Sequence, residues 1–132
     1  MDRATREFVR RRAGLRCEYC QLSELFSPLA KLQIEHVRPI KHGGTDDVEN
    51  LALACIDCNL RKGPNLSGID PETDAIEPLF HPRSQRWNDH FRWENARIVG
   101  TSGCGRATVA VMEFNLPDRV QVRLAMLRVD GD

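Results

Sequence analysis

The chain has 132 residues, 41% hydrophobic and 29% charged, and its 19 basic and 19 acidic side chains cancel. That composition is ordinary for a folded globular protein, and zero net charge removes any global electrostatic case for nucleic-acid binding. No apolar run approaches the ~18–20 residues that span a bilayer, so no membrane partner is expected. The opening MDRATREFVRRR is basic but lacks an apolar h-region, so no secretory signal is expected. A cytoplasmic location follows from that reading, and with it reduced thiols.

In chain order, residues 4–12 read as a short helix with Phe8 and Val9 as its apolar contact and Gly14 as its stop. Its arginines form part of a basic crowd: Arg3, Arg6, Arg10, Arg11, Arg12 and Arg16. A cysteine pair then forms a tight knuckle, and residues 21–31 are irregular, with Pro28 as a breaker. Leu32, Ile34 and Val37 suggest an extended stretch to Pro39. His42-Gly43-Gly44 is a turn, Leu51–Ala54 a second strand, and Cys58–Arg61 the first turns of a helix ending near Gly63-Pro64.

The second half reads differently. Residues 64–90 are rich in Pro, Asp, Ser and Asn and form a long wrap, with one short helix opened by Asp70-Pro71. Phe91–Glu94 and Arg97–Val99 form a hairpin around Asn95-Ala96. Trp87 and Trp93 belong to hairpin packing rather than to base stacking. A helix from about Arg106 to Phe114 follows, then one from Pro117 with Val120, Leu124 and Leu127 at helical spacing as its core stripe. The organisation expected is residues 1–63 as one functional core and 64–132 as an extension packed on the same domain.

Cys17/Cys20 and Cys55/Cys58 form two Cys-x-x-Cys pairs. In a reducing compartment such pairs signal metal more often than a disulfide. Zinc takes four ligands tetrahedrally and favours thiolate; four cysteines leave no open position, so Zn²⁺ here is structural. A redox motif needs no second pair, and an iron–sulfur cluster needs no polar residues between the pairs. Cys104, far from both, reads as a small core or loop residue.

Between and just after the pairs lie Glu35, His36, Asn50 and Asn59. Thirteen residues separate His36 from Asn50, and eight separate Asn50 from Asn59. On CEYC, IEHVRPIKHGG, ENLALAC and CIDCNLRKG, the chain resembles the HNH endonucleases, a branch of the ββα-metal (His-Me finger) nucleases, over about residues 8–63. FRWENARIVG and GRATVAVMEFN also look like a C-terminal extension seen in some members. The resemblance implies an α+β fold: a zinc-stabilised ββα-metal domain with an extension containing a hairpin and two helices.

It also implies roles. His36 is the general base that deprotonates a water. Glu35 and Asn59 ligate a catalytic divalent ion, Mg²⁺ or Mn²⁺, since carboxylate and amide both offer hard oxygen. Asn50 fastens the loop that holds His36. Arg61 and Lys62, and more weakly Arg38 and Lys41, contact flanking phosphates; His42 reads as structural or exposed. Adjacent strand residues face opposite ways, so Glu35 and His36 need a bulge or a strand end to share a site. The activity expected is hydrolysis of nucleic acid, DNA first, leaving 5′-phosphate and 3′-hydroxyl ends. The rivals are a zinc-stapled module that grips nucleic acid without cutting, and a protein–protein adaptor.

Overall fold

A computed structural model describes residues 1–27 and 31–130. It is a mixed helix-and-strand structure whose sheets are small antiparallel pairs. The chain divides into two compact units: Met1–Asn65 with His81–Ser84, and Leu66–Phe80 with Gln85–Asp132. Among the described residues no helix is long and apolar enough to cross a membrane.

The first unit opens with α1 (Arg3–Arg12), capped by Asp2, whose carboxylate accepts from the Thr5 amide at 2.8 Å. Val9 is its buried residue. Phe8 is instead half-exposed beneath the Arg12 guanidinium, 5.2 Å from its ring centre. Arg12 reaches back to donate to the carbonyls of Val48 and Leu51 at 2.9 and 2.6 Å. The first cysteine knuckle closes through Cys17 N–H to Leu22 O and Gln21 N–H to Cys17 O. Pro28 lies outside the described residues.

β1 (Gln33–His36) pairs antiparallel with β2 (Leu51–Ala54), placing Glu35 opposite Ala52 and His36 opposite Leu51 without a bulge. All four β2 side chains are buried. α2 (Ile56–Lys62) starts two residues earlier than expected because Cys55 caps it, its sulfur accepting from the Cys58 amide at 3.4 Å. Arg83, in the short His81–Ser84 segment, forms an ion pair with Glu18, whose other oxygen accepts from the Leu53 amide at 2.8 Å.

The second unit corrects the expected wrap. Instead of a helix at Asp70-Pro71, β3 (Ser67–Ile69) and β4 (Ile76–Pro78) form a hairpin. Asp70 organises its turn, accepting from the Glu72 amide and the Thr73 hydroxyl, and takes a bidentate grip from Arg106 at 3.0 and 2.9 Å. The one-turn helix α3 (Trp87–His90) leads into the hairpin β5 (Phe91–Glu94) and β6 (Arg97–Gly100). Phe91 packs with Phe80, Trp87 and Phe114, and Trp87 against Trp93. α4 (Gly103–Met112) is capped by Ser102 and stops at Glu113, in left-handed backbone. A side chain at Gly105 would collide with the His90 carbonyl, so glycine lets the two segments touch.

α5 (Pro117–Asp130) buries Arg119, Arg123 and Met126, one position away from the expected Val120, Leu124 and Leu127. The arginines are tolerated inside because carbonyls meet them. Arg119 donates to Met112 O and Glu113 O, and Arg123 to Ala96 O and Asn115 Oδ1.

Candidate active site and zinc centre

Cys17, Cys20, Cys55 and Cys58 are all buried, and their sulfurs lie within 4.8 Å of one another. Four sulfurs ~2.3 Å from one zinc stand about 3.8 Å apart; those of Cys20 and Cys55 are 3.6 Å apart. Burial drives the Cys17 and Cys58 thiols well above their ordinary range. Four crowded, buried sulfurs are therefore costly as thiolates on their own and favourable around a divalent cation. The cluster fits a structural zinc. Cys55 serves both the metal cluster and the first turn of α2, which ties helix start to metal.

The hairpin carries the polar residues from the first knuckle to α2. Glu35 points inward and is 5% exposed. One carboxylate oxygen is 2.7 Å from the Lys62 ammonium and the other accepts from the Tyr19 hydroxyl at 2.6 Å. Burial raises the Glu35 carboxyl above its usual range, while Lys62 and Tyr19 pull it back. Burial, then the neighbouring Glu35 charge, pushes the Tyr19 phenol up. Lys62 also donates to Val37 O at 2.8 Å and His36 O at 3.4 Å. An ammonium has three donors, and all three are engaged at 2% exposure. Lys62, expected from its place after Asn59 to contact phosphate, is buried here and anchors the end of β1 from inside.

His36 sits at that strand end, 23% exposed by its side chain, with Nε2 2.7 Å from Asp46 Oδ1. The bond holds the Asp46 carboxyl below its ordinary range. With Nε2–H donated to the carboxylate, Nδ1 keeps a lone pair and can take a proton. Asn50 binds the loop between them. Its Oδ1 accepts from Arg38 N–H at 2.8 Å, and its Nδ2 donates to Arg38 O and Thr45 O at 3.0 and 2.8 Å. Gly44 makes that closure possible: a Cβ there would fall 1.7 Å from Arg38 O. Thr45, so tied, delivers the next residue, Asp46, to His36.

Asn59 lies within α2 and not at its start, and its Nδ2 donates to Gln33 Oε1 at 2.7 Å. The Glu35 carboxylate is closed over by Lys62 and Tyr19, while Asn59 gives only its Nδ2 to Gln33 and keeps its carbonyl oxygen. Among the described residues the four cysteines are the group of His, Cys, Asp or Glu gathered closely enough to hold a metal. Arg61 is half-buried, whereas Arg38, Lys41 and His42 are exposed on the loop after β1. Arg38 spends its Nε–H on His42 O.

Three participants are missing from the expected set. Asp46 reads in sequence as one member of an acidic run, Tyr19 as filler inside a knuckle, and Gln33 as an ordinary strand residue. Proximity to the Gly-Gly turn was the available signal for Asp46; nothing local marks the other two.

Residues 17–65 match the family described as HNH endonuclease. No curated protein and no solved structure matches the chain. Both cysteine pairs, the β1–β2 hairpin, the cinched loop and α2 fall inside this span, so the match to the HNH endonuclease domain covers residues 17–65 of the chain.

Proposed function

We propose that the first unit is an endonuclease acting on DNA, with His36 as general base. The observation that carries this reading is the His36–Asp46 pair, held at a strand end by the Asn50 clasp inside an HNH-family span. Asp46 fixes the imidazole with Nδ1 facing outward and stabilises the imidazolium once formed, the service a carboxylate gives a catalytic histidine elsewhere. Nδ1 removes a proton from water as its oxygen bonds to phosphorus. The bond from phosphorus to the 3′ oxygen breaks, that oxygen takes a proton from solvent water to leave as hydroxyl, and His36 returns its proton to solvent. Arg38 and Lys41, exposed on the same loop, supply positive charge to the phosphate. Of the two ligands that the resemblance implies for a divalent ion, the Glu35 carboxylate is closed over by Lys62 and Tyr19, so no step is routed through the ion and the proton is taken by His36.

One observation favours a second reading. A Glu35 carboxylate closed over by Lys62 suits a module that binds DNA without cutting it. Plasmid nicking by the zinc-loaded protein, with and without added Mg²⁺ or Mn²⁺, separates the two. Under the first reading His36→Ala lowers nicking about 10²–10⁴-fold; equal rates in mutant and parent remove His36 as base. Salt-sensitive DNA binding with no nicking under any metal selects the second.

A further inference from the structure

A cleft of about 530 Å³ opens beside Asn59, between α1 and β1. Its size suits a nucleotide-sized ligand. Arg6 and Arg10 form one wall; four residues apart, they share a helix face. Lys31 stands at the rim, with Leu32, Gln33 and Ile34 along the floor. The three cations are not equivalent. Arg10 is neutralised by Glu24 at 2.8 Å, and its other nitrogen reaches toward Leu32 O, so it is fixed wall. Arg6 and Lys31 are exposed and have no acidic partner among the described residues. The cleft therefore carries two uncompensated positive charges in a molecule of zero net charge.

Its floor is chemically mixed in a useful way. Asn59 donates to Gln33, which leaves the Gln33 NH₂ and the Asn59 carbonyl oxygen for a ligand. Two cations without an acidic partner and an amide pair match phosphates and a base edge. Lys31 to Ile34 run consecutively into β1, whose sheet partner among the described residues is β2 alone, so one edge of β1 is unpaired there. That edge leads from Gln33 to His36, about 10 Å at ~3.3 Å per residue, or about three base steps at ~3.4 Å.

We propose that this cleft seats the DNA strand flanking the scissile linkage, with Arg6 and Lys31 on phosphates and the Gln33–Asn59 amides on a base. The proposal rests on the nucleic-acid reading of the HNH span. It places phosphate contacts on Arg6 of α1 and on Lys31 ahead of β1, whereas Lys62 is buried.

The test is binding of a short fluorescent DNA to the zinc-loaded full chain, across a salt series and without added divalent ion. Arg6→Ala with Lys31→Ala should weaken binding roughly tenfold and lower the salt slope by about 2, near 0.9 per lost phosphate contact on duplex. Gln33→Leu should weaken binding with the slope unchanged. Arg3→Ala, on the same helix but paired with Glu7 outside the cleft, should leave the slope at the parent value. If the double variant keeps the parental slope while the parent binds DNA, the cleft proposal falls and the nuclease reading stands. If the parent shows no salt-dependent DNA binding, both fall. If the double variant loses only binding of inorganic phosphate, the cleft takes a small anion and the proposal is overturned.

Discussion

The two units solve the same stability problem with different chemistry. The first has few large apolar side chains inside, Val9, Leu51, Leu53 and Tyr19 among them, and adds a four-sulfur cluster and a buried Glu35–Lys62 pair. The second packs Phe80, Phe91, Phe114, Ile98, Met112 and Met126, and turns two buried arginines onto carbonyls. A unit built on one small hairpin and two short helices gains little stability from hydrophobic burial alone. The difference is that the first unit gathers buried sulfurs and charges that fit a bound zinc, whereas the second closes on aromatic and aliphatic packing.

The largest expected effect tests that contrast directly. Zinc binding to small domains is worth on the order of 10–16 kcal/mol, more than a typical domain's whole stability. Chelation, or Cys58→Ser, should unfold the first unit. Both tryptophans, Trp87 and Trp93, lie in the second unit and the one tyrosine, Tyr19, in the first. Tyrosine-region circular dichroism should therefore collapse while tryptophan emission keeps its folded maximum. A simultaneous red shift in tryptophan emission would erase the distinction between the units.

Next in size is the buried pair. Lys62→Ala leaves Glu35 uncompensated and should cost the first unit about 3–5 kcal/mol, read as a drop in its melting temperature. Lys62→Met with Glu35→Leu should recover most of that loss, because replacing both charges is far less costly than orphaning one. Failure of the double variant to recover would mean that the network's polarity itself specifies the fold.

Smaller still is the loop clasp. Asn50→Ala removes the three hydrogen bonds that deliver Asp46 to His36. A displacement of about 1 Å can cost ~10²-fold in rate, so nicking should fall by that order with zinc content unchanged. Loss of zinc in this variant would show the clasp to be structural for the whole unit.

The smallest effect belongs to the second unit and to acid. Arg106, followed by the Glu72 amide and the Thr73 hydroxyl, lowers the Asp70 carboxyl to about 2. An unfolded aspartate protonates near ~3.9, so as pH falls the unfolded chain takes up this proton first. The contribution is complete above about 4 and is lost between there and about 2. Tryptophan-monitored stability should decline across that window, and Asp70→Asn should flatten the decline.

What was legible in the sequence follows from how local each feature is. Leu51–Ala54 is an unbroken apolar run, and Phe91–Glu94 with Arg97–Val99 flank a turn residue, so those strands read directly. The cysteine pairs carry their own spacing. The β3–β4 hairpin was hidden because Asp70 is held by Arg106, 36 residues later. The stripe on α5 was misread because Arg119 and Arg123 are buried only where distant carbonyls receive them. Lys62 looks like any cation at a helix end until Glu35, 27 positions earlier, is placed beside it. Periodicity finds apolar faces, but it cannot see a charge whose partner lies in another element. The same limit applied at the site: the spacing from His36 to Asn59 was readable, whereas the closing of Glu35 by Tyr19 and Lys62 depends on how knuckle and helix meet.

That meeting has a consequence for a chain made from its N-terminus. Tyr19 emerges early, Glu35 midway and Lys62 late, so the Glu35 carboxylate has no ammonium partner until the end of α2 has left the ribosome. Until then that carboxylate has only water and the Tyr19 hydroxyl to meet it, and the sulfur cluster is complete just four residues before the ammonium that closes the network.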